Sequence, residues 1–267
     1  MPTVKVEGIK IYYEREGTGT PTLFITGLGG DHRPWAPVVE QLKDQYECVT
    51  FDNRGIGQSS KPPSGYTMSD LTRDTIGLLD ALSISRAHII GMSMGGLVAQ
   101  NIALQQPKRI RSLVLLGSFA AGDARLNHVL SSRKFMQKRM TRYEYFWALA
   151  GWMFGPQTLA KSSFVNDFAN MAADNPHPQS LRAFSQLVDG IVQFDNRARL
   201  KDIRIPTLVM VGEEDILTPP YLSRALAEGI PGEDLEVIPG VGHFCVTEDT
   251  KGVADRLVRF FKRVDAI

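Results

Sequence analysis

The sequence predicts an α/β protein with a mostly parallel, eight-stranded sheet that is flanked by helices, and an all-helical segment inserted after the sixth strand. Short, continuously apolar runs alternate with stretches of helical length, which is typical of a parallel sheet whose strands are buried on both faces. The alternation stops between residues 119 and 200, where helical stripes rich in methionine and aromatic residues replace the strands.

Size and composition restrict the class of protein. The 267 residues suffice for one large domain or a domain with an insertion, and the formal net charge of +1 gives no general attraction to nucleic acid or membranes. Cys48 and Cys245 are too few for a disulfide framework, and no Cys/His cluster has metal-site spacing. No apolar run resembles a membrane span or a secretory leader. We therefore expect a cytoplasmic protein, a monomer or homodimer, without a cofactor or metal.

The first part of the chain predicts four strands. Residues 4–6 and 9–14 flank a Glu-Gly pair and form a hairpin. Residues 22–26 and 48–52 are apolar runs, and each leads into a glycine-rich loop. Residues 67–70, Thr-Met-Ser-Asp, resemble a capping box and predict the start of a helix.

The remaining strands follow at wider intervals. Apolar runs at residues 87–91, 112–116, 207–211 and 235–238 predict one strand each. Residues 248–264 have the apolar periodicity of a closing amphipathic helix.

The segment without strands predicts a second unit. We expect residues 1–118 and 201–267 to form the core domain and residues 119–200 to form a helical cap, or lid. Four side chains in this segment are spaced i, i+4, i+7 and i+11 and predict a single helix face: Met136, Met140, Tyr143 and Trp147.

A Gly-Met-Ser-Met-Gly sequence at residues 91–95 lies between a predicted strand and a predicted helix. On such a tight turn the serine hydroxyl points outward, and the flanking glycines allow the strand and the helix to approach closely. The backbone N–H of Met94 then opens a helix beside the place where an oxyanion would form. Ser93 is therefore the candidate nucleophile.

A serine nucleophile needs a base and an acid that orients the base. Of the five histidines, His243 lies in a glycine-rich loop after the last strand, where it can reach the sheet edge that carries Ser93. His88 lies inside a strand and is expected to be packed in the core. Asp215 follows a strand and precedes a turn that would fix it, and Glu213, Glu214 and Asp123 remain alternative acids.

The order Ser93, Asp215, His243 is that of the α/β-hydrolase superfamily, which the chain resembles over essentially its whole length. Residues 27–30 look like the family's oxyanion loop, which implies that the N–H of Leu28 joins that of Met94. Residues 52–59 resemble its D-x-R-G-x-G-x-S loop, which shapes the pocket floor. Thr26 stands where many relatives have histidine, and it can hold the loop by a local hydrogen bond.

Within the superfamily, the chain most resembles the 3-oxoadipate enol-lactonase and carboxylesterase-like group with a helical cap. The resemblance implies a serine hydrolase that cleaves a small, largely apolar ester or lactone through an acyl-enzyme. Two alternatives remain open: a carbon–carbon bond hydrolase or cofactor-free perhydrolase of the same fold, and a slow-turnover receptor or signalling protein with an intact triad. Epoxide hydrolases and haloalkane dehalogenases are disfavoured because they carry aspartate where Ser93 stands.

Several large side chains are candidates for the substrate pocket. They lie near the oxyanion loop or in the helical segment: His32, Trp35, Trp147, Trp152 and Phe154. A substrate carboxylate would require a cation, for which Arg54 and Arg125 are the candidates.

Overall fold

A computed structural model describes residues 2–266. Eight strands form one sheet in the order β1-β2-β4-β3-β5-β6-β7-β8. The strands are β1 (Thr3–Val6), β2 (Ile9–Glu16), β3 (Thr20–Ile25), β4 (Tyr46–Phe51), β5 (Ala87–Met92), β6 (Ile110–Leu116), β7 (Thr207–Gly212) and β8 (Asp234–Ile238). Each corresponds to a predicted strand, with ends that differ by up to two residues.

Helices connect the parallel strands, as the alternation in the sequence predicts. They are α1 (Ala36–Leu42), α2 (Met68–Ala81), α3 (Met94–Gln105), α4 (Ala124–Arg139), α5 (Arg142–Met153), α6 (Pro156–Leu159), α7 (Phe164–Ala173), α8 (Leu181–Val192), α9 (Pro220–Gly229), α10 (Cys245–Glu248) and α11 (Thr250–Asp265). The capping box at Thr67 and Asp70 is present at the start of α2. Within residues 2–266, no helix has both the length and the apolarity needed to cross a membrane.

The pairing of the strands determines at which edge of the sheet a ligand site is expected. β2 pairs antiparallel with β1 and β4, whereas β4, β3, β5, β6, β7 and β8 are mutually parallel. The carboxyl ends of the parallel strands therefore lie at the same edge, where open α/β sheets bind their ligands.

The strands are covered on both faces, which explains their continuous apolarity. Leu23 and Ile25 of β3 belong to a core cluster that includes residues of α2 and α3. Phe24, between them, belongs to a second cluster with residues of α1 and α11. Successive strand residues point to opposite faces, so each strand needs apolar residues at every position.

Helices α4 to α8 lie between β6 and β7 in the chain. An antiparallel bridge between Ala121 and Asp195 joins the two ends of this segment. Phe184 and Leu187 of α8 share the core cluster of Leu97 in α3, so the helical segment is packed on the main core rather than around a core of its own.

The single helix predicted across Met136 and Trp147 is wrong. α4 ends at Arg139, and α5 begins after Thr141, whose hydroxyl and backbone form a capping box with Glu144. Side-chain capping of the first turn of α5 satisfies backbone groups that a continuous helix would have satisfied internally. The Thr-x-x-Glu spacing was the sequence signal for this break.

Candidate active site

Ser93 lies in strained backbone between β5 and α3. Its φ of 53° and ψ of −120° are unusual for a residue with a side chain. A Cβ on Gly91 would lie 2.4 Å from the oxygen of Gly95, and a Cβ on Gly95 would lie 2.1 Å from the oxygen of Ile25. The two glycines are therefore required for the close crossing of strand and helix that holds the serine in this conformation.

The end of β6 fixes the backbone of Ser93 from the other side. Ser93 N–H donates to the oxygen of Leu116 at 2.9 Å, and the hydroxyl of Ser118 donates to the oxygen of Ser93 at 3.0 Å. Both contacts tie the tight turn at Ser93, called the elbow from here on, to the neighbouring parallel strand. The position of the serine therefore depends on the register of the sheet.

Asp215 and His243 are in direct contact. His243 Nδ1 lies 2.8 Å from Asp215 Oδ2, and both side chains are buried. Asp215 Oδ1 accepts the N–H groups of Leu217 and Thr218 at 2.9 and 2.8 Å, as expected if the following turn fixes this carboxylate. Because Nδ1 is engaged by the carboxylate, Nε2 is the ring nitrogen that remains for proton transfer.

Thr218 contacts both Asp215 and His243, and the sequence analysis did not identify it. Its Oγ1 lies 2.7 Å from Asp215 Oδ2, 3.0 Å from His243 Nδ1 and 3.0 Å from the oxygen of Gly117. The Asp-x-x-Thr spacing was the available signal, because an aspartate side chain can accept hydrogen bonds from a residue three positions later in a turn.

The other candidate acids are engaged elsewhere. Glu213 and Glu214 are exposed, and Glu213 accepts the N–H of Gly240. Asp123 caps α4 by accepting the N–H of Leu126 at 2.8 Å. Asp215 is therefore the carboxylate that contacts His243.

His88 is buried in the core, as the sequence predicted. Its Nδ1 lies 2.7 Å from Ser112 Oγ, and its ring stacks on that of Phe261. His128 and His177 are exposed in the helical segment. None of the three contacts Asp215.

Gly117 lies next to the acid–base pair, in the segment that also holds Ser93. A Cβ at this position would lie 3.3 Å from His243 Nδ1 and 3.4 Å from Asp215 Oδ2. Gly117 directly follows Leu116 and precedes Ser118, the two residues that hold Ser93. Residues 116–118 at the end of β6 therefore adjoin all three predicted triad residues.

The predicted oxyanion loop lies against Ser93. A Cβ on Gly27 would lie 3.1 Å from Ser93 Cβ, and both Leu28 and Met94 line the cavity above the serine. Thr26 accepts the indole N–H of Trp35 at 2.9 Å, which is the local hydrogen bond expected of this residue. Met94 opens α3, so its N–H has no acceptor within the helix.

A cavity of about 870 Å³ opens over these groups. Its lining includes Ser93 and His243 together with side chains of the helical segment, and most of it is apolar. A largely apolar cavity with a few convergent polar groups is the usual form of a small-molecule site.

The pocket prediction needs correction at four positions, because only Phe154 of the five candidates lines the cavity. His32 is buried against Asp52, its Nδ1 2.7 Å from Oδ1 of that carboxylate. Trp35 is fully buried, and Trp152 packs beside the main core. Trp147 faces the surface, with 52% of its area exposed. The break between α4 and α5 redirects this face of the helix, which sequence periodicity did not reveal.

The candidate cations need the same correction. Arg54 forms a buried ion pair with Asp74 and donates to the oxygen of Gly65, and neither Arg54 nor Arg125 lines the cavity. A different arginine, Arg133 of α4, is buried and does line the cavity. The sequence placed it on a helix with several other basic residues and gave no signal that separated it from them.

In the part of the chain that the structure describes, one cluster has ligand atoms close enough for a cation. Atoms of Asp31, His32 and Asp52 lie within 4.8 Å of one another. Asp31 is paired with Arg33, however, and Asp52 accepts two hydrogen bonds from His32. Burial alone lowers the pKa of His32, but the hydrogen bond and charge of Asp52 raise it above its ordinary value overall. The cluster is thus already neutralised by its own protein contacts.

Comparison with known proteins supports this architecture. A model of the α/β-hydrolase fold family matches residues 20–250, and the chain belongs to that family. It is 33% identical over 233 residues to a protein of Azorhizobium caulinodans named as a candidate carbamate hydrolase, RutD. The aligned region covers 86% of this chain and 87% of that protein.

Two further similarities cover almost the whole chain. A protein of Mycobacterium tuberculosis named as a candidate non-heme bromoperoxidase, BpoC, is 32% identical over 263 residues, covering 97% of this chain and 100% of that protein. The crystal structure of the enol-lactonase from Burkholderia xenovorans LB400 superposes with a TM-score of 0.88 at 25% identity, covering 98% and 100% of the two chains. Family and relatives together support a hydrolase activity for this chain.

Proposed function

We propose that this protein is a serine hydrolase that cleaves a small, largely apolar carboxylic ester or lactone through an acyl-enzyme. The observation that carries the proposal is the arrangement around Gly117. Ser93 on its strained elbow and the buried Asp215–His243 pair line or flank one cavity and approach the same three residues at the end of β6. Nucleophile, base and orienting acid are what acyl transfer by serine requires.

The proposed reaction has two steps. His243 Nε2 takes the proton of Ser93 as its oxygen attacks the carbonyl carbon, and Asp215 holds the imidazole and stabilises its cationic form. The N–H groups of Leu28 and Met94 stabilise the tetrahedral oxyanion, each contributing about 3 kcal/mol to transition-state stabilisation. Collapse of this intermediate releases the alcohol, which His243 protonates. Water activated by His243 then cleaves the acyl-enzyme.

The character of the cavity supports an apolar acyl or alcohol group. The segment between β6 and β7 contributes most of the residues that line the cavity, including Leu130, Phe154 and Phe168. We propose that residues 119–200 act as a cap that excludes water from the acyl-enzyme. Enol-lactone and carbamate hydrolysis, named for the relatives, both begin with attack on a carbonyl carbon, so they belong in the substrate panel.

The test is substrate profiling of wild type against Ser93→Ala, together with covalent labelling. Wild type should release 4-nitrophenol from short-chain esters with a burst, since acylation leaves a covalent intermediate. A fluorophosphonate probe should label Ser93 in intact-protein and peptide mass spectra. Ser93→Ala should lose labelling and about 1,000-fold or more of kcat/KM.

Ser132→Ala is the matched control, because this hydroxyl donates only to the oxygen of Val129 within α4. It should retain labelling and turnover. Full esterase activity in Ser93→Ala would exclude the mechanism. Turnover on ring-cleavage diketones or perhydrolysis, but not on esters or lactones, would favour the carbon–carbon hydrolase or perhydrolase alternative. Only very slow turnover with a ligand-dependent shift in Tm would favour a receptor.

A further inference from the structure

Arg133 carries a positive charge into the cavity lining. It lies in α4 with only 4% of its surface exposed, and it lines the same cavity as Ser93 and His243. An arginine remains protonated in proteins, so this buried group is cationic. The position of the charge is unusual, because the surrounding lining is mostly apolar.

The contacts of Arg133 leave part of its guanidinium unused. Nε donates to the hydroxyl of Tyr145 at 2.9 Å, and the guanidinium carbon lies 5.9 Å from the ring centroid of Tyr145 and 5.3 Å from that of Phe184. Within residues 2–266, neither terminal nitrogen has a hydrogen-bond partner, and no carboxylate lies within ion-pair distance. Each terminal nitrogen keeps some accessible surface, since neither is both fully buried and without a partner.

The other arginines of the lining are matched, and the exposed carboxylate of Asp167 accepts a hydrogen bond from the hydroxyl of Ser163. Arg33 pairs with Asp31, and Arg142 donates to the backbone oxygens of Ala172 and Asn175 at the end of α7. Arg133 therefore differs from them: its aromatic neighbours orient the guanidinium but do not neutralise it. A buried charge without a counter-ion is costly unless a partner binds to it.

We infer that Arg133 binds a carboxylate that the substrate carries in addition to its scissile ester or lactone bond. The two free terminal nitrogens match the two oxygens of a carboxylate, and low polarity around them strengthens such a charge-assisted pair. The inference rests on the proposed function, because it assigns the substrate class of that same cavity. The expected substrates are half-esters or lactones of dicarboxylic acids with an apolar chain between the two ends.

The test compares two esters that differ only in charge. One is the 4-nitrophenyl half-ester of a dicarboxylic acid, and the other is the same compound with its free carboxyl group methylated. The pair is made for glutaric, adipic, pimelic and suberic acids. Release of 4-nitrophenolate gives kcat/KM for each. Wild type should prefer the anionic ester, and Arg133→Gln should lower the anionic-to-neutral ratio by about 10- to 100-fold, mainly through KM.

Two further variants separate charge recognition from loss of structure. Arg133→Lys keeps the charge but lacks the paired N–H donors of the guanidinium. It should therefore lose part of the preference for the anionic ester. Arg125→Gln removes one positive charge from an exposed position of the same helix that does not line the cavity, and it should shift the ratio by less than about threefold. A ratio that changes equally in Arg125→Gln, or not at all in Arg133→Gln, would overturn the inference.

A binding measurement makes the result independent of turnover. Titration calorimetry with adipate on Ser93→Ala should show binding that weakens about tenfold or more in Ser93→Ala/Arg133→Gln. Equal affinity in the two proteins would overturn the inference even if esterase activity is present. Absence of any hydrolysis with Arg133-dependent adipate binding would instead contradict the proposed function and leave the anion site standing.

Discussion

At the scale of single residues, Thr218 does more than close a turn. Its hydroxyl and its N–H both contact the carboxylate of Asp215, and its oxygen also lies 3.0 Å from His243 Nδ1. A carboxylate held at both oxygens cannot rotate away from the imidazole that it orients. In the proposed mechanism, Thr218 is therefore a positioning residue that acts through Asp215 and His243.

Replacing the threonine hydroxyl should reduce activity without unfolding the protein. Thr218→Val keeps the shape but removes a hydrogen bond to a charged group, so kcat/KM should fall by about tenfold. Thr218→Ser should restore most of the loss, because it keeps the hydroxyl. Steady-state kinetics on one nitrophenyl ester, with Tm as the control for folding, measures both. Equal activity of the valine and serine variants would contradict this role.

At the scale of elements, the elbow depends on glycines at the crossing of β5 and α3. Glycine at residue 95 is required by contact, since a Cβ there would meet the carbonyl oxygen of Ile25, which belongs to the sheet and cannot move freely. Gly151 in α5 is different: it is exposed, and nothing lies within 4 Å of a Cβ placed there. The two positions distinguish a glycine imposed by packing from one that packing does not require.

Alanine should therefore have opposite effects at the two sites. Gly95→Ala should destabilise the fold by roughly 3 kcal/mol, because a backbone oxygen must be displaced. Gly151→Ala should stabilise it by roughly 0.5 to 1 kcal/mol, because a free helix position gains propensity. Urea denaturation of both variants and wild type gives the free energies of unfolding. A destabilised Gly151→Ala, or a Gly95→Ala as stable as wild type, would contradict the packing argument.

At the scale of the whole molecule, His88 links the centre of the sheet to the last helix. It contacts Ser112 of β6 and Phe261 of α11, and its Nε2 lies 3.4 Å from Asp265. Burial lowers the pKa of His88 to about 4, with smaller lowering by Arg111 and Arg86 and an opposing effect from Asp265. The folded protein therefore keeps this imidazole neutral at a pH where the unfolded chain protonates it.

The sign of the resulting pH dependence follows from proton binding. Because the folded pKa lies below the ordinary value of 6.5, the unfolded state binds the extra proton first as the pH falls. The stability that neutral His88 contributes is present above pH 6.5 and is lost between 6.5 and about 4. Relative to His88→Asn, wild type should lose up to about 2 kcal/mol between pH 7 and pH 5. Urea titrations of both proteins at the two pH values test this, and parallel pH dependences would refute it.

The sequence by itself determined the order of elements and the chemistry that could be carried at the sheet edge. Strand apolarity, glycine spacing and the order Ser93, Asp215, His243 are local patterns, and local patterns report backbone periodicity and turn geometry directly. They were sufficient to predict the eight strands and to select Asp215 for the contact with His243.

The tertiary structure decided what surrounds that edge. The inward packing of Trp35, the exposure of Trp147 and the unpaired guanidinium of Arg133 depend on how helices far apart in sequence are rotated against one another. Rotation about a helix axis leaves no trace in local spacing when α4 and α5 are separated by an unrecognised cap at Thr141. The Asp215–His243 contact was thus readable from the chain, whereas the lining of the cavity depends on contacts that form only when the helices pack.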